Sequence, residues 1–258
     1  MFAFMPHTGR RAVAIAALAA VARFATHAEP ARAASALGVP VLMYHLVDAK
    51  VPTDAVGRDL TVEPAAFEAQ LRFLRAHHIA TLTASELAAA LARGKHPHDA
   101  VVLTFDDGYA DAATTAFPLM QRYGARGTFY VSSGFVGTPR HLTWRQMRAM
   151  HHAGMEIACH GTEHLDLSTL DRAGQLREAA GCKRRFAKWL GAAASDTYAY
   201  PAGQYNATTF AIMRELGMRA AFTEHPGTVI SLASPYDLPR RRVRHDDDLA
   251  RFAELATP

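Results

Sequence analysis

The chain has 258 residues, of which 50% are hydrophobic and 20% are charged, so neither a disordered chain nor a collagen-like repeat is expected. Two cysteines are too few for a disulfide scaffold or a cysteine-rich zinc module. Residues 1–34 hold four arginines and one glutamate; removing these from the 28 basic and 24 acidic side chains leaves 24 and 23. The nearly neutral remainder gives no support for a nucleic-acid partner.

The N-terminal segment, residues 1–34, has the pattern of a secretory signal peptide. Arg10 and Arg11 precede an apolar run over 12–22, which is shorter than the roughly 20 residues that a membrane-spanning helix needs. A basic start, a short apolar middle and small residues after it are typical of an export signal. We predict cleavage between residues 28 and 36, and the alternative is an uncleaved amphipathic anchor.

The rest of the chain, residues 35–258, is predicted to form one domain of an exported protein, either periplasmic or secreted. No repeat, linker or low-complexity stretch divides it. In an oxidising compartment Cys159 and Cys182 are able to pair. We favour the alternative, which is two buried thiols.

Short apolar runs alternate with longer helix-like stretches along this domain. Such runs between turn residues are typical of strands that are buried on both faces. The predicted strands are 40–44, 100–105, 128–131, 155–159, 197–200 and 219–222. The predicted helices are 64–78, 85–93, 112–123, 144–152, 173–190 and 207–216. Thr83 with Glu86 forms a capping-box pattern before the second helix. The repeated β–α order predicts parallel strands, either as a barrel or as an open doubly wound sheet.

Reactive side chains or a turn motif directly follow four of the predicted strands. In parallel β–α folds, functional residues collect at the carboxyl ends of the strands. The residues at these ends are His45, Asp106 with Asp107, His160 with His164, and Pro201-Ala202-Gly203. We therefore predict that these four strand ends form a single site.

His160 and His164 are candidate metal ligands, because two imidazoles four residues apart converge on one ion when the backbone turns between them. Taken alone, the pair is more simply explained as surface or hydrogen-bonded histidines, since the chain has 14 histidines. The carboxylates of Asp106 and Asp107 favour the metal, because charges directly after a buried strand are costly unless they are paired or metal-bound.

The sequence Asp106-Asp107-Gly108 is also typical of a turn, but a turn alone does not explain why it directly follows so apolar a strand. Adjacent residues point in different directions, so one aspartate is able to bind a metal while its neighbour takes a proton from an attacking water. The two carboxyls of a glycosidase must instead face each other across a substrate, which chain neighbours do poorly.

Three motifs resemble those of the metal-dependent polysaccharide deacetylases of carbohydrate esterase family four. They are TFDDGY at 104–109, HGTEH at 160–164 and YPAG at 200–203. The stretches PVLMYH, VEPAAFEAQLRFL, and GTFYVSSGFVG followed by LTWRQMRAM resemble the branch that includes poly-N-acetylglucosamine and peptidoglycan deacetylases. The resemblance covers residues 39–244 and implies an α/β fold, a distorted (β/α)7 barrel in a single domain.

The resemblance also implies roles for individual residues. Asp106 is similar to the catalytic base of the family. Asp107, His160 and His164 resemble the ligands of one divalent ion, usually zinc, with nickel, cobalt or iron as alternatives. In the branch that carries PVLMYH, the histidine that ends the first strand takes the place of the general acid, so the resemblance implies this role for His45. The Leu-x-His motif that supplies the acid in many other members is missing near the C-terminus.

Further candidates follow from the same resemblance. His245 is the reserve general acid, in a polar run, RHDDD, that is typical of a solvated tail. The backbone N–H of Ala202 is a candidate oxyanion donor, and Tyr109 is a candidate substrate contact. Tyr109, Trp144 and Tyr205 are aromatic candidates for lining the sugar groove, and core packing is an equal alternative for each.

The chain departs from the family pattern at three positions. Gly161 replaces the usual Ser or Thr after the first metal histidine, Ala199 replaces an arginine, and Ala202 replaces an aromatic residue. We expect an arginine of the run 240–242 to support the catalytic aspartate instead, since LPRRRV recurs in this branch.

The implied reaction is the removal of acetyl groups from a polysaccharide that contains N-acetylglucosamine, with release of acetate. The polymer is poly-N-acetylglucosamine, a chitin-like chain or peptidoglycan, and an association with the cell envelope fits such substrates. One alternative is an O-acetyl esterase that uses the same site. The other is a non-catalytic carbohydrate-binding relative, which the intact aspartates and histidines argue against.

Overall fold

The computed structural model describes residues 38–191 and 196–258. The predicted signal segment, residues 1–34, and its cleavage region lie outside the described residues. Among the helices within the described ranges, none is both long and apolar enough to cross a membrane.

All six predicted strands are present, with ends that differ by at most one residue from the prediction, and four short strands were not predicted. The strands are β1 (Val41–Tyr44), β2 (Leu46–Val47), β3 (Thr61–Val62), β4 (Ala80–Leu82), β5 (Ala100–Phe105), β6 (Thr128–Val131), β7 (Glu156–Cys159), β8 (Thr197–Ala199), β9 (Ala220–Phe222) and β10 (Arg241–Arg242). The main sheet follows the order β10-β1-β5-β6-β7-β8-β9, with β4 also beside β5. Its strand pairs are all parallel.

The two ends of this seven-strand path meet between β9 and β10. A parallel bridge joins Phe222 of β9 to Leu238, which lies just before β10. The Thr223 N–H donates to the Leu238 carbonyl at 2.9 Å, and the Arg240 N–H donates to the His225 carbonyl at 2.9 Å. The prediction of a distorted (β/α)7 barrel is therefore confirmed.

The six predicted helices are also present, and two others, α1 and α8, were not predicted. The helices are α1 (Ala55–Asp59), α2 (Pro64–Ala76), α3 (Ala84–Ala92), α4 (Phe117–Tyr123), α5 (Trp144–His152), α6 (Arg172–Leu190), α7 (Ala207–Glu215) and α8 (Leu249–Ala256). A π-helical turn, Ala112–Ala116, precedes α4. The predicted capping box begins α3, where Thr83 Oγ1 accepts from the Glu86 N–H at 3.2 Å and Glu86 Oε2 accepts from the Thr83 N–H at 2.9 Å.

Alternate residues of the strands belong to two different cores. Interior positions such as Val102, Tyr130 and Ala158 pack in one apolar cluster with Leu87 of α3. The positions between them, such as Leu103, pack in a larger cluster with the outer helices. Because both faces of the strands are buried, the sequence shows continuous apolar runs rather than alternation.

The polar run RHDDD is largely exposed, but it is not a tail as expected, because it leads directly into the packed helix α8. Asp248 caps α8, since its Oδ1 atom accepts from the Arg251 N–H at 2.8 Å. Phe252 of α8 is fully buried and its ring lies 5.9 Å from the ring of Phe73 on α2. The helix has only eight residues after a charged segment, which concealed its apolar spacing in the sequence.

Cys159 and Cys182 form a disulfide, with Cα atoms 5.9 Å apart, so the expectation of two buried thiols is wrong. Cys159 ends β7, and Cys182 lies on α6, 23 residues further along the chain. Only the packing of α6 against the sheet brings the two residues together. The bond joins α6 to the strand that leads directly into His160.

Candidate active site

The predicted site residues lie at the carboxyl end of the barrel, where the interior face of the strands continues beyond their last residues. His45 continues the interior positions of β1, Asp106 those of β5, and His160 those of β7. Because successive side chains alternate between the two faces of a strand, all three point toward the mouth of the barrel. All three are buried, with 8%, 2% and 2% of their surface exposed.

Arg240 holds Asp106 by two parallel hydrogen bonds inside the barrel. Arg240 Nη1 donates to Asp106 Oδ1 at 2.8 Å, and Nη2 donates to Oδ2 at 2.7 Å. The guanidinium also donates to Thr104 Oγ1 at 3.1 Å and, through Nε, to the Thr223 carbonyl at 2.9 Å. Its carbon lies 5.8 Å from the centre of the Tyr130 ring. The arginine that was expected from the run 240–242 is therefore Arg240.

This ion pair keeps Asp106 charged although it is buried. Burial by itself raises the pKa of a carboxyl group. The positive charge of Arg240, with a smaller contribution from His160, outweighs this effect of burial, so the pKa of Asp106 is lowered. Asp106 is consequently an ionised carboxylate near neutral pH, which is the form that a general base requires.

The structure brings Asp107, His160 and His164 together into what we call the candidate cation site. One ligand atom from each residue lies within 4.8 Å of the other two. His160 Nε2 is 3.4 Å and His164 Nε2 is 3.2 Å from Asp107 Oδ1. Burial would raise the pKa of Asp107, but the two imidazoles beside it hold the pKa well below its usual range.

The hydrogen bonds around this site fit a divalent cation. His160 Nδ1 lies 2.8 Å from the Ala199 carbonyl oxygen, which only accepts, so Nδ1 carries the proton. When this ring is neutral, Nε2 carries a lone pair that is directed into the site, so it is able to bind a cation. A carboxylate oxygen and two imidazole nitrogens are the donors that zinc and similar ions prefer.

Unusual backbone conformations coincide with the candidate residues. Asp107, His164 and Ala202 have φ values of 71°, 57° and 52°, in the left-handed region that non-glycine residues seldom adopt. Such conformations cost free energy and persist where the surrounding structure requires them, as in active sites. The two neighbouring carboxylates face different partners, since Asp106 contacts Arg240 and Asp107 lies beside the two histidines.

His45 is near enough to both aspartates for their charges to act on its pKa. Burial lowers the pKa of His45, and the negative charges of Asp106 and Asp107 oppose this effect only in part. His245, the reserve candidate, makes a different contact. Its Nδ1 atom donates to the Thr61 carbonyl at 3.0 Å, and its side chain is only 11% exposed.

Ala202 and Tyr109, the candidate substrate residues, both have accessible surface. Ala202 is exposed within a 3₁₀ turn, Pro201–Gly203, after β8. The Tyr109 ring stacks on His141 with centroids 5.5 Å apart. Burial and the nearby Asp107 carboxylate raise the pKa of Tyr109 to about 12, so its hydroxyl is protonated and able to donate a hydrogen bond.

The two other aromatic candidates, Trp144 and Tyr205, are involved in packing. Trp144 stacks on Trp189, with centroids 5.5 Å apart, and contacts Phe186 at 5.7 Å, so it belongs to the contact between α5 and α6. The Tyr205 hydroxyl donates to Asp237 Oδ1 at 2.7 Å. For Trp144 the structure favours the packing alternative.

Two features of the site were not found from the sequence. The backbone carbonyl of Ala199 orients His160. Every residue has a backbone carbonyl, so the sequence does not indicate which one makes this contact. Glu178 accepts hydrogen bonds from the loop between the two histidines, although it lies 16 residues beyond that loop. Nothing in the local sequence around Glu178 indicates this contact, which only the position of α6 creates.

Comparison with known proteins shows that the chain is similar to polysaccharide deacetylases. A family model described as polysaccharide deacetylase matches residues 93–221. The protein YxkH of Bacillus subtilis (strain 168), which has a provisional name as a polysaccharide deacetylase, is 32% identical over 206 residues, covering 80% of this chain and 71% of that protein.

Two further relatives extend the comparison. The poly-beta-1,6-N-acetyl-D-glucosamine N-deacetylase of Staphylococcus aureus (strain MSSA476) is 23% identical over 202 residues, covering 73% of this chain and 70% of that protein. The structure of the deacetylase PplD of Streptococcus pyogenes, in complex with acetate, has a TM-score of 0.80 and 28% identity, covering 86% of this chain and 99% of that one.

Proposed function

Because the chain belongs to the polysaccharide deacetylase family, whose members hydrolyse carbon–nitrogen bonds in acetylated sugars, we propose that it is a metal-dependent N-deacetylase of polysaccharides containing N-acetylglucosamine. One observation carries the proposal. An ionised Asp106, held by Arg240, adjoins a candidate cation site formed by its chain neighbour Asp107 and two histidines. This arrangement provides a proton acceptor and a cation site side by side.

Asp107, His160 and His164 hold the metal in this proposal, and zinc is the ion we propose. A divalent ion at this position polarises the acetyl carbonyl and lowers the pKa of water. The hydrogen bond from His160 Nδ1 to the Ala199 carbonyl supports this assignment, because it fixes the ring with Nε2 directed at the site.

Asp106 is the general base in this proposal. It accepts a proton from the water that attacks the acetyl carbon, and the carbon–nitrogen bond of the amide then breaks. Arg240 orients the carboxylate, and each oxygen keeps a second lone pair for the proton. The same ion pair prevents Asp106 from being protonated before the substrate arrives.

His45 and Ala202 complete the proposed chemistry. A protonated His45 donates its proton to the departing amine, so that acetate and a free amino sugar are the products. The lowered pKa of His45 makes its protonated ring a stronger acid than an ordinary imidazolium. The Ala202 N–H faces the oxyanion that develops on the acetyl group, and Tyr109 contacts the sugar.

The proposed substrates and compartment rest on separate observations. The relative from S. aureus is named for β-1,6-linked N-acetylglucosamine, which makes that polymer the first to test. The basic and apolar N-terminal segment supports export to the periplasm or the exterior, in association with the cell envelope. The disulfide between Cys159 and Cys182 supports an oxidising compartment.

Acetate release from defined oligomers tests the function. Purified protein is incubated with β-1,6-linked N-acetylglucosamine, chitin and peptidoglycan oligomers, with and without a chelator, and with an O-acetylated glycan. We expect acetate and new free amines from at least one N-acetylated oligomer, loss of this activity with chelator and its return with zinc. Asp59→Asn, a change in an exposed ion pair, is the control variant.

Three outcomes would contradict the proposal. Acetate from the O-acetylated glycan alone would identify an esterase. Binding of the oligomers without any acetate release would identify a non-catalytic carbohydrate-binding protein. Full activity of protein that the chelator has left metal-free would exclude the proposed metal.

A further inference from the structure

One face of α6 contacts the loop that carries both histidines of the candidate cation site. Glu178, Gly181, Cys182 and Arg185 lie at positions i, i+3, i+4 and i+7, which share one face of a helix. Cys182 is bonded to Cys159, the residue before His160. Arg185 donates to the Ser133 carbonyl at 3.1 Å, in the neighbouring loop after β6.

Glu178 makes the most direct of these contacts. Its Oε2 atom accepts from the backbone N–H groups of Thr162 and Glu163, at 3.0 and 2.9 Å. Its own carbonyl accepts from Thr162 Oγ1 at 2.9 Å. The residue is only 5% exposed although it is acidic.

Two glycines permit the close approach of the loop and the helix. A Cβ atom on Gly161 would lie 3.0 Å from Glu178 Oε2, and φ of Gly161 is +80°. A Cβ atom on Gly181 would lie 2.8 Å from Thr162 Oγ1. Side chains at these positions would push the loop away from α6, so both residues leave room for the contacts of Glu178.

We propose that Glu178 is a positioning residue, which sets the separation of His160 and His164 through the backbone between them and so controls how tightly the site holds its metal. The inference rests on the proposed function only in requiring that the site binds a divalent ion. Loops of this length have many conformations of similar energy. Two N–H groups bound to one buried carboxylate oxygen restrict Thr162 and Glu163, and hence the histidines on either side.

This role also accounts for Gly161, which stands where the family pattern has a hydroxyl side chain. A serine or threonine there would collide with Glu178, and its hydrogen bond to the loop is unnecessary when the carboxylate of Glu178 binds the backbone directly. The stabilising group therefore comes from α6 rather than from the loop itself.

Two conservative variants test the proposal on the full chain, with cobalt(II) as the probe. Glu178→Asp keeps the charge but withdraws the carboxylate by one methylene, so it no longer reaches both N–H groups. Glu178→Gln keeps the length and an oxygen that accepts from both. Arg177→Ala, the exposed neighbour on the same helix, is the matched control.

The readouts are the Kd of cobalt(II) and the visible absorption spectrum of the bound ion, which reports ligand geometry. We expect Glu178→Asp to raise the Kd by about 10- to 100-fold, the range seen for residues that orient metal ligands, and to shift the spectrum. We expect Glu178→Gln to stay within about threefold of wild type. Circular dichroism of the metal-free proteins establishes that each variant is folded.

The possible results separate this inference from the proposed function. A wild-type Kd and spectrum in folded Glu178→Asp would overturn the positioning role. An equal loss in Glu178→Gln would also overturn it, because an accepting oxygen in the same place would then not be sufficient to hold the loop. Failure of the wild-type protein to bind cobalt(II) or zinc would instead overturn the metal-dependent function on which the inference rests.

Discussion

Arg240 and Asp106 are 134 positions apart in the chain, yet their side chains form a two-pronged ion pair with exposures of only 0% and 1%. Arg240 reaches Asp106 because the segment before β10 closes the barrel against β9. The orientation of the proposed base therefore depends on the closure of the barrel, and damage at that junction should affect catalysis without touching the cation site.

Asp106→Asn should destabilise the protein as well as inactivate it. The change leaves the Arg240 charge buried without its counter-charge, at a cost of about 3–5 kcal/mol in the free energy of unfolding. Urea unfolding measures the loss. Asp59→Asn breaks the exposed pair with Arg244 and should cost at most about 1 kcal/mol. Equal effects of the two variants would contradict this prediction.

The same variant separates the roles of the two neighbouring aspartates. Asp106→Asn should keep its metal and lose about 10²- to 10⁴-fold in kcat/KM, since it removes the proton acceptor but none of the three residues of the candidate cation site. Asp107→Asn should lose the metal. Metal analysis and acetate release measure the two effects, and the reverse pattern would exchange the two assignments.

His164→Ala should lose most of about one divalent ion per chain, while His96→Ala, at an exposed position, should retain it. The affinity of the wild-type site for its metal should also decrease as the pH is lowered. The Asp107 carboxylate raises the pKa of His164, so protons compete with the metal at a higher pH than for an ordinary histidine. Below that pKa the apparent Kd should rise about tenfold per pH unit. A Kd that is equal at pH 8 and pH 5 would contradict this.

The disulfide should be detectable and stabilising. Alkylation of unfolded but unreduced protein should add no mass, and alkylation after reduction should add two groups, since the chain has two cysteines. Cys159→Ala/Cys182→Ala should lower the free energy of unfolding by about 3 kcal/mol, because the bond closes a loop of 23 residues. Two free thiols in protein exported under oxidising conditions would refute the pairing.

His45→Gln should keep the fold and the metal and lose most of the amide hydrolysis. An activated ester has a leaving group that needs no proton, so its hydrolysis should be reduced far less. The ratio of the two rates measures the contribution of His45. If both substrates keep near-normal rates, His45 has a structural role and His245 is the next residue to test.

The mature protein should begin between Glu29 and Leu37 when it is recovered from the exporting compartment. N-terminal sequencing or intact mass measures this position. The reason is the basic and apolar pattern of the first segment, followed by small residues. Recovery of cytosolic protein that still begins at Met1 would remove the signal-peptide interpretation.

Local patterns were sufficient for the main elements of the fold. β5 and β6 have the predicted bounds, because each is a short apolar run between turn residues. The helix α5 also has its predicted bounds. The two-residue strand β10 and the eight-residue α8 were missed, since segments so short have no clear periodicity of their own.

The sequence by itself determined which strand ends would supply His45, Asp106, His160 and their neighbours, because alternation along a strand and parallel order are local properties. Only the tertiary structure decided that Arg240 is the arginine beside Asp106, and that Glu178 and Cys182 of α6 hold the histidine loop. Arg240 and Asp106 are 134 residues apart, Glu178 and Thr162 are 16 apart, and the two cysteines are 23 apart. Many residues of the chain could supply a charge or a hydrogen-bonding group for such contacts. Which residue does so depends on how the barrel closes and where α6 packs.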